Sequence, residues 1–112
     1  MAKFKRVLLK LSGEALAGES GHGIDNTILS DMASEIASMV RAGIQVALVI
    51  GGGNLVRGIS ASAGGMNRAQ GDAMGMLGTV MNGLAMQDAL DKQSIDSVVM
   101  SAIRMEPVCE FF

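Results

Sequence analysis

Three groups of residues in this chain have the types and spacing to handle phosphate. The first is Lys10-Leu11-Ser12-Gly13. A lysine closing an apolar run can place a point charge over a phosphoryl group, and Ser12 and Gly13 can donate beside it. The second is Gly51-Gly52-Gly53, followed by Asn54 and by Arg57-Gly58. Residues without side chains let backbone N–H groups approach phosphate oxygens, and an arginine adds a forked, charge-assisted contact. The third is Asp72, a carboxylate able to accept from sugar hydroxyls. Each has a plainer reading alone: a tight turn, a solvated strand-end lysine, a surface arginine, a helix N-cap. Two glycine-bearing strand ends, each with a basic residue, favour a phosphorylated ligand.

Other chemistries lack their residues. There is no Gly-x-x-x-x-Gly-Lys-Ser/Thr loop. Gly51 and Gly53 begin a Gly-x-Gly-x-x-Gly pattern, but Val56 stands where its last glycine belongs. His22 is the one histidine and lies in a glycine loop, a poor base for a Ser-His-Asp triad, and no His/Cys cluster has metal-ligand spacing.

The elements that must position these groups follow from periodicity. Residues 7–11 read as a buried strand and 44–50 as a second, covered on both faces. Between them, residues 18–23 form a flexible loop, Asp25 is the N-cap of a helix, and Ile28, Leu29, Met32, Ile36, Met39 and Val40 share its apolar face until Gly43 stops it. A second helix spans about 72–91, with Met74, Leu77, Met81, Leu84 and Ala85 on one face. Gly75, Gly78 and Gly83 weaken it by roughly 1 kcal/mol each against alanine, which suits only close approach of another backbone. A third strand covers 98–103, and Pro107 opens a new segment. Alternation of strand and helix predicts an α/β fold with a mainly parallel sheet, helices on both faces and a ligand at the carboxyl ends of the strands.

Composition narrows the class further. With 112 residues, 49% apolar, the chain suits at most one domain with a real core. A net charge of −2 without a basic block argues against nucleic acid. The uncharged run at residues 73–87 is too short for a bilayer and is interrupted by glycines, and the N-terminal apolar run is broken by Lys10, so neither membrane span nor signal peptide is expected. The lone Cys109 cannot pair internally, which fits a reducing, cytoplasmic location, and is expected to be a buried thiol. Ten methionines suggest a malleable core or interface. The terminal pair Phe111-Phe112 follows directly on a strand and a turn, as if the chain were cut within a domain.

Leu8-Leu9-Lys10-Leu11-Ser12-Gly13-Glu14, then Val49-Ile50-Gly51-Gly52-Gly53-Asn54 with Arg57-Gly58, resemble the amino-acid kinase superfamily. Met66-Asn67-Arg68, Gly71-Asp72, the run from Met74 to Met86 and Met100-Ser101-Ala102-Ile103 narrow the likeness to the bacterial uridylate (UMP) kinases, along almost all of the chain. The resemblance implies a three-layer α/β/α sandwich, apparently truncated, with residues 1–112 as the N-terminal, acceptor-side part of one amino-acid kinase domain. It implies transfer of the γ-phosphoryl group of ATP, with Mg²⁺, to UMP, as in pyrimidine nucleotide biosynthesis. It implies a cytoplasmic homohexamer with GTP or UTP as effectors, and no nucleic-acid or membrane partner.

By the same resemblance Lys10, Leu11, Ser12 and Gly13 hold ATP phosphates. Gly52 contacts UMP, Gly53 and Arg57 sit where the phosphates meet, and Asp72 holds the ribose. Lys10 and Arg57 are the catalytic pair. Gly18, Glu19, Ser20, Gly21, His22 and Gly23 match a loop linked to GTP, and the glycine-bearing helix matches a subunit contact. Two departures stand out. Gln87, Asp91 and Val98 occupy positions where GTP-regulated members carry basic residues, and the family is roughly twice this length. Two alternatives therefore stay open: a kinase of the same superfamily acting on a carboxylate or carbamate, and an inactive half-domain or assembly module.

Overall fold

The computed structural model describes residues 3–56, 65 and 67–111. Arg57, Gly58, Met66 and Phe112, all named above, lie outside them. The elements run in the order β1 (Arg6–Leu11), two 3-10 turns (Gly13–Leu16 and Gly18–Ser20), α1 (Asn26–Arg41), β2 (Gln45–Ile50), α2 (Arg68–Asp91), β3 (Met100–Ser101) and β4 (Glu110–Phe111).

β1 and β2 pair in parallel, with Arg6 opposite Gln45 and Leu11 opposite Ile50. Parallel neighbours need a crossover, and α1 supplies it. Side chains alternate across the pleat, so Leu9 and Leu11 of β1 and Val46, Leu48 and Ile50 of β2 point one way. They meet Leu29, Ala33 and Ile36 of α1, Met86 and Leu90 of α2, and Leu16 from the first 3-10 turn. Fully burying one such aliphatic side chain contributes about 1.5–3 kcal/mol. The opposite face carries Leu8 and Val49, 62% and 50% exposed. The sequence pattern suggested strands covered on both faces. Among the described residues one helical layer is present, and the second face of the sheet is open.

α1 starts where expected. The Asp25 carboxylate accepts from the N–H groups of Thr27 (2.9 Å) and Ile28 (3.1 Å), satisfying two donors that have no partner inside the helix. Gly43 follows the helix with φ +90°, a conformation that glycine adopts without cost. Asp25→Ala is expected to destabilise the full-length protein by about 1 kcal/mol. A denaturant midpoint unchanged from wild type would contradict this.

α2 differs from its sequence reading in two ways. It begins four residues earlier, with Asn67 as N-cap: its side-chain oxygen accepts from Ala69 N–H at 2.8 Å. Asp72 is therefore an exposed residue in the second turn and does not cap the helix. The buried face is also not the Met/Leu stripe. Leu77 and Met81 are 51% and 55% exposed, while Gly78, Val80, Asn82, Met86 and Leu90 are buried. Gly78 and Asn82 face inward, toward Gly52, Val56 and Asn54, and Gly83 faces the Val99 side chain.

The third strand is shorter than predicted. Only Met100–Ser101 pairs, in parallel with Glu110–Phe111, and this pair forms a separate two-stranded sheet. Arg104 covers it, its guanidinium 4.4 Å from the Phe111 ring centroid, a cation–π contact. Cys109, expected to be buried, is only half-buried.

Candidate active site

The register of β1 and β2 builds the site. Leu11 and Ile50 stand opposite one another, so both strands end level. Gly51 N–H donates to the Leu11 carbonyl at 3.1 Å, extending the pairing by one step. Beyond it, Ser12-Gly13 and Gly51-Gly52-Gly53 lie side by side. A Cβ on Gly13 would run into the Gly51 carbonyl oxygen and stand 2.6 Å from Asn54 Oδ1. Gly13 is thus glycine because another backbone occupies the space its side chain would need.

Gly52 is held the same way from the other side. A Cβ there would lie 2.7 Å from Thr79 N, 2.8 Å from Gly75 O and 2.9 Å from Gly78 C, all main-chain atoms of α2. Gly78 in turn leaves room for Val56, whose Cγ2 would stand 3.1 Å from an added Cβ, and Gly83 for Val99 at the same distance. Two of the glycines that weaken α2 therefore have partners within the chain, the glycine loop and the segment before β3. A single helical turn follows at residues 53–56, with Leu55 and Val56 N–H donating to the Gly52 carbonyl at 3.0 and 3.2 Å.

Two buried asparagines lock this arrangement. Asn54 is 1% exposed and Asn82 fully buried. Their amides bond reciprocally: Asn82 Nδ2 donates to Asn54 Oδ1 at 2.7 Å, and Asn54 Nδ2 to Asn82 Oδ1 at 3.2 Å. Asn82 Nδ2 also donates to the Gly51 carbonyl, and Asn54 Nδ2 to the Gly23 carbonyl, each at 2.8 Å. Gly23 N–H returns a bond to the Asn54 carbonyl at 2.8 Å. Leaving one such group buried and unpaired would cost about 1–3 kcal/mol. The sequence reading passed over Asn82. Its signal was an amide on the inner side of a helix, where asparagine is unfavourable unless its side chain finds a partner.

Residues 18–23, read as a flexible loop, are folded. Gly18, Gly21 and Gly23 have φ of +65°, +77° and +74°. Ser20 Oγ lies within donating distance of the Ala17 and His22 carbonyls, at 3.0 and 2.8 Å. A side chain on Gly18 would meet the Asp25 carboxylate at 2.8 Å, so the loop packs against the cap of α1. Asn54 ties its far end to the glycine loop.

The predicted residues are distributed as follows. Lys10 is exposed on the open face of the sheet, opposite Val49. The Leu11 side chain packs against the core and its carbonyl is taken by Gly51. Ser12 Oγ accepts from Glu14 N–H at 3.3 Å and keeps its hydroxyl proton to donate. Gly13 is buried, and Gly52 and Gly53 are half-buried. Asp72 precedes Gly75 by three residues, about 4.5 Å along α2 from the point where Gly52 packs. Glu19 and His22 are exposed in the folded loop. Among the described residues no group of three or more His, Cys, Asp or Glu side chains could hold a metal ion.

A parallel α/β fold with two glycine-bearing strand ends brought level defines a class. The Amino acid kinase family model matches residues 5–109, and the chain belongs to that family. It is 58% identical to the uridylate kinase of Campylobacter hominis over 113 residues, which is 100% of this chain and 48% of the relative. It is 60% identical to the uridylate kinase of Chromohalobacter salexigens over 111 residues, 99% of this chain and 44% of the relative. The solved UMP kinase of Bacillus anthracis superposes with a TM-score of 0.87 at 41% identity, over 97% of this chain and 45% of its own. The chain therefore spans under half the length of these relatives.

Proposed function

We propose that the full-length protein carrying this chain is a UMP kinase, transferring the γ-phosphoryl group of MgATP to UMP to give UDP and ADP. Residues 1–112 form the acceptor-side part of its single domain. One observation carries the reading: the level strand ends set Ser12-Gly13 against Gly51-Gly52-Gly53, with no side chain possible at Gly13 or Gly52. Two anionic nucleotides must be brought together in line, and such a reaction needs positioning and charge neutralisation more than a covalent nucleophile.

In this reading a UMP phosphate oxygen attacks the γ-phosphorus, and the bond to the β-bridging oxygen breaks to release ADP. The Gly52 N–H holds the acceptor phosphate, Gly53 lies where the phosphates of the two nucleotides meet, and Asp72 accepts from the UMP ribose hydroxyls. Lys10 neutralises the negative charge spread over the moving group, with Ser12 and Gly13 donating to ATP phosphates beside it. Leu11 contributes only through its place in β1. Arg57 is assigned to the meeting point of the phosphates. Magnesium enters with ATP as part of the substrate.

Residues 18–23 are the candidate effector loop for GTP, although Gln87, Asp91 and Val98 supply no cation for such an anion. The exposed Met76, Leu77 and Met81 on α2 suit a subunit contact in a homohexamer. No described helix is long and apolar enough to cross a membrane, and a cytoplasmic location fits the reading.

The test is a substrate panel on the full-length protein with MgATP. UDP formation from UMP is expected, with no phosphorylation of glutamate, aspartate or carbamate. Turnover of one of these acids without UMP would replace this reading with the acid-kinase alternative.

A further inference from the structure

We propose that Asn54 and Asn82 are positioning residues that aim the Gly52 amide at the acceptor phosphate. The proposal deepens the kinase reading above and rests on it. Hydrogen-bond capacity limits what the pair can do. Each asparagine amide has two N–H donors, and all four are used: Asn54 on the Gly23 carbonyl and Asn82 Oδ1, Asn82 on the Gly51 carbonyl and Asn54 Oδ1. Neither side chain has a donor left for ligand or water, and both are sealed from solvent. They act through the backbone they grip.

What they grip is specific. In a trans peptide the carbonyl oxygen and the following N–H point in opposite directions. Among the described residues the only cis bond is Glu106-Pro107, so the Gly51-Gly52 unit is trans. By drawing the Gly51 carbonyl toward itself, Asn82 turns the Gly52 N–H away from α2. Gly52 itself cannot retreat, because α2 backbone lies where a Cβ would be. Position and direction of this donor are thus set by two different contacts with one helix. Asn54 carries the constraint onward by holding both backbone groups of Gly23. An apolar pair could fill the same volume, but only a donor can set the plane of a peptide.

The experiment uses Asn82→Asp in the full-length protein, with Asn82→Ser as a smaller variant that keeps one hydroxyl donor. The ionised carboxylate of the Asn82→Asp variant has no proton for the Gly51 carbonyl, whereas its protonated form regains one. The KM for UMP is expected to rise about tenfold at pH 8, the loss of one hydrogen bond, and to recover toward wild type as the pH falls. The KM for ATP should stay within about twofold, and Asn82→Ser should lie between the two at pH 8. Backbone hydrogen exchange is the second readout: in Asn82→Asp it should quicken at residues 21–23 and 51–53 and stay unchanged in α1. Parallel rises in both KM values, or a lowered melting temperature with unchanged KM for UMP, would make the pair merely structural and overturn the proposal. If the wild-type protein does not phosphorylate UMP, the kinase reading fails. Exchange then decides whether the pair still orders the loop: unchanged rates at residues 51–53 overturn that too, and quickened rates uphold the grip on the loop while removing its acceptor.

Discussion

Gly52→Ala is expected to lower UDP formation by the full-length protein at least about 100-fold, the typical cost of a misplacement near 1 Å. The added methyl group would stand 2.7–2.9 Å from Thr79 N, Gly75 O and Gly78 C. These atoms belong to the main chain of a 24-residue helix and cannot swing aside as a side-chain tip would. The loop must move instead, away from α2 and out of line with Ser12-Gly13. Overpacking of this kind also costs about 1–3 kcal/mol of stability, so the denaturation midpoint should fall together with activity. Gly53→Ala is the control. Its nearest neighbour would be Glu14 Oε1 at 3.4 Å, an ordinary contact, and its stability should stay near wild type. Steady-state UDP production and chemical denaturation of the two variants decide the matter. Wild-type turnover by Gly52→Ala would mean that the loop does not hold the acceptor.

Lys10→Ala should separate activity from stability. The side chain is exposed, on the face of the sheet away from the core. Its loss should therefore change folding by no more than about 0.5 kcal/mol. If Lys10 neutralises charge on the transferring phosphoryl group, kcat should fall by about 10²–10³, the range for removing one such stabilising group. Lys10→Arg should recover only part of this, because a planar fork replaces a compact ammonium. The measurement is kcat at saturating UMP and ATP alongside a thermal melt. Retained kcat in Lys10→Ala would return Lys10 to the role of a solvated strand-end residue.

Much of the fold was legible because it depends on short-range patterns. The strand at residues 7–11, the crossover helix, its Asp25 cap and its Gly43 stop all follow from propensity, capping chemistry and apolar spacing within a few residues. What failed depended on contacts distant in sequence. Hydrophobic spacing alone assigns α2 a buried Met/Leu face, yet that helix turns Gly78 and Asn82 toward residues 51–56, where Gly52 approaches its main chain and Asn54 meets Asn82. Asp72 lost its place at the helix start because Asn67, five residues earlier, offered a better-placed side-chain oxygen.

The candidate site divides along the same line. The residue types are present in the sequence itself: a lysine and a glycine ending one strand, three glycines ending another, and the ordered motifs shared with the amino-acid kinases. Their chemistry is local, so types and spacing were enough to point to phosphate. Whether those ends would meet was decided by the tertiary structure, through the register that sets Leu11 opposite Ile50. It also decided why Gly13 and Gly52 must be glycine, since each is defined by a main-chain atom 38 or more positions away for Gly13, and 23 or more for Gly52. The Asn54–Asn82 pair belongs wholly to this second kind. A hydrogen bond between residues 28 apart leaves no periodic trace, and only the folded chain brings the two amides together.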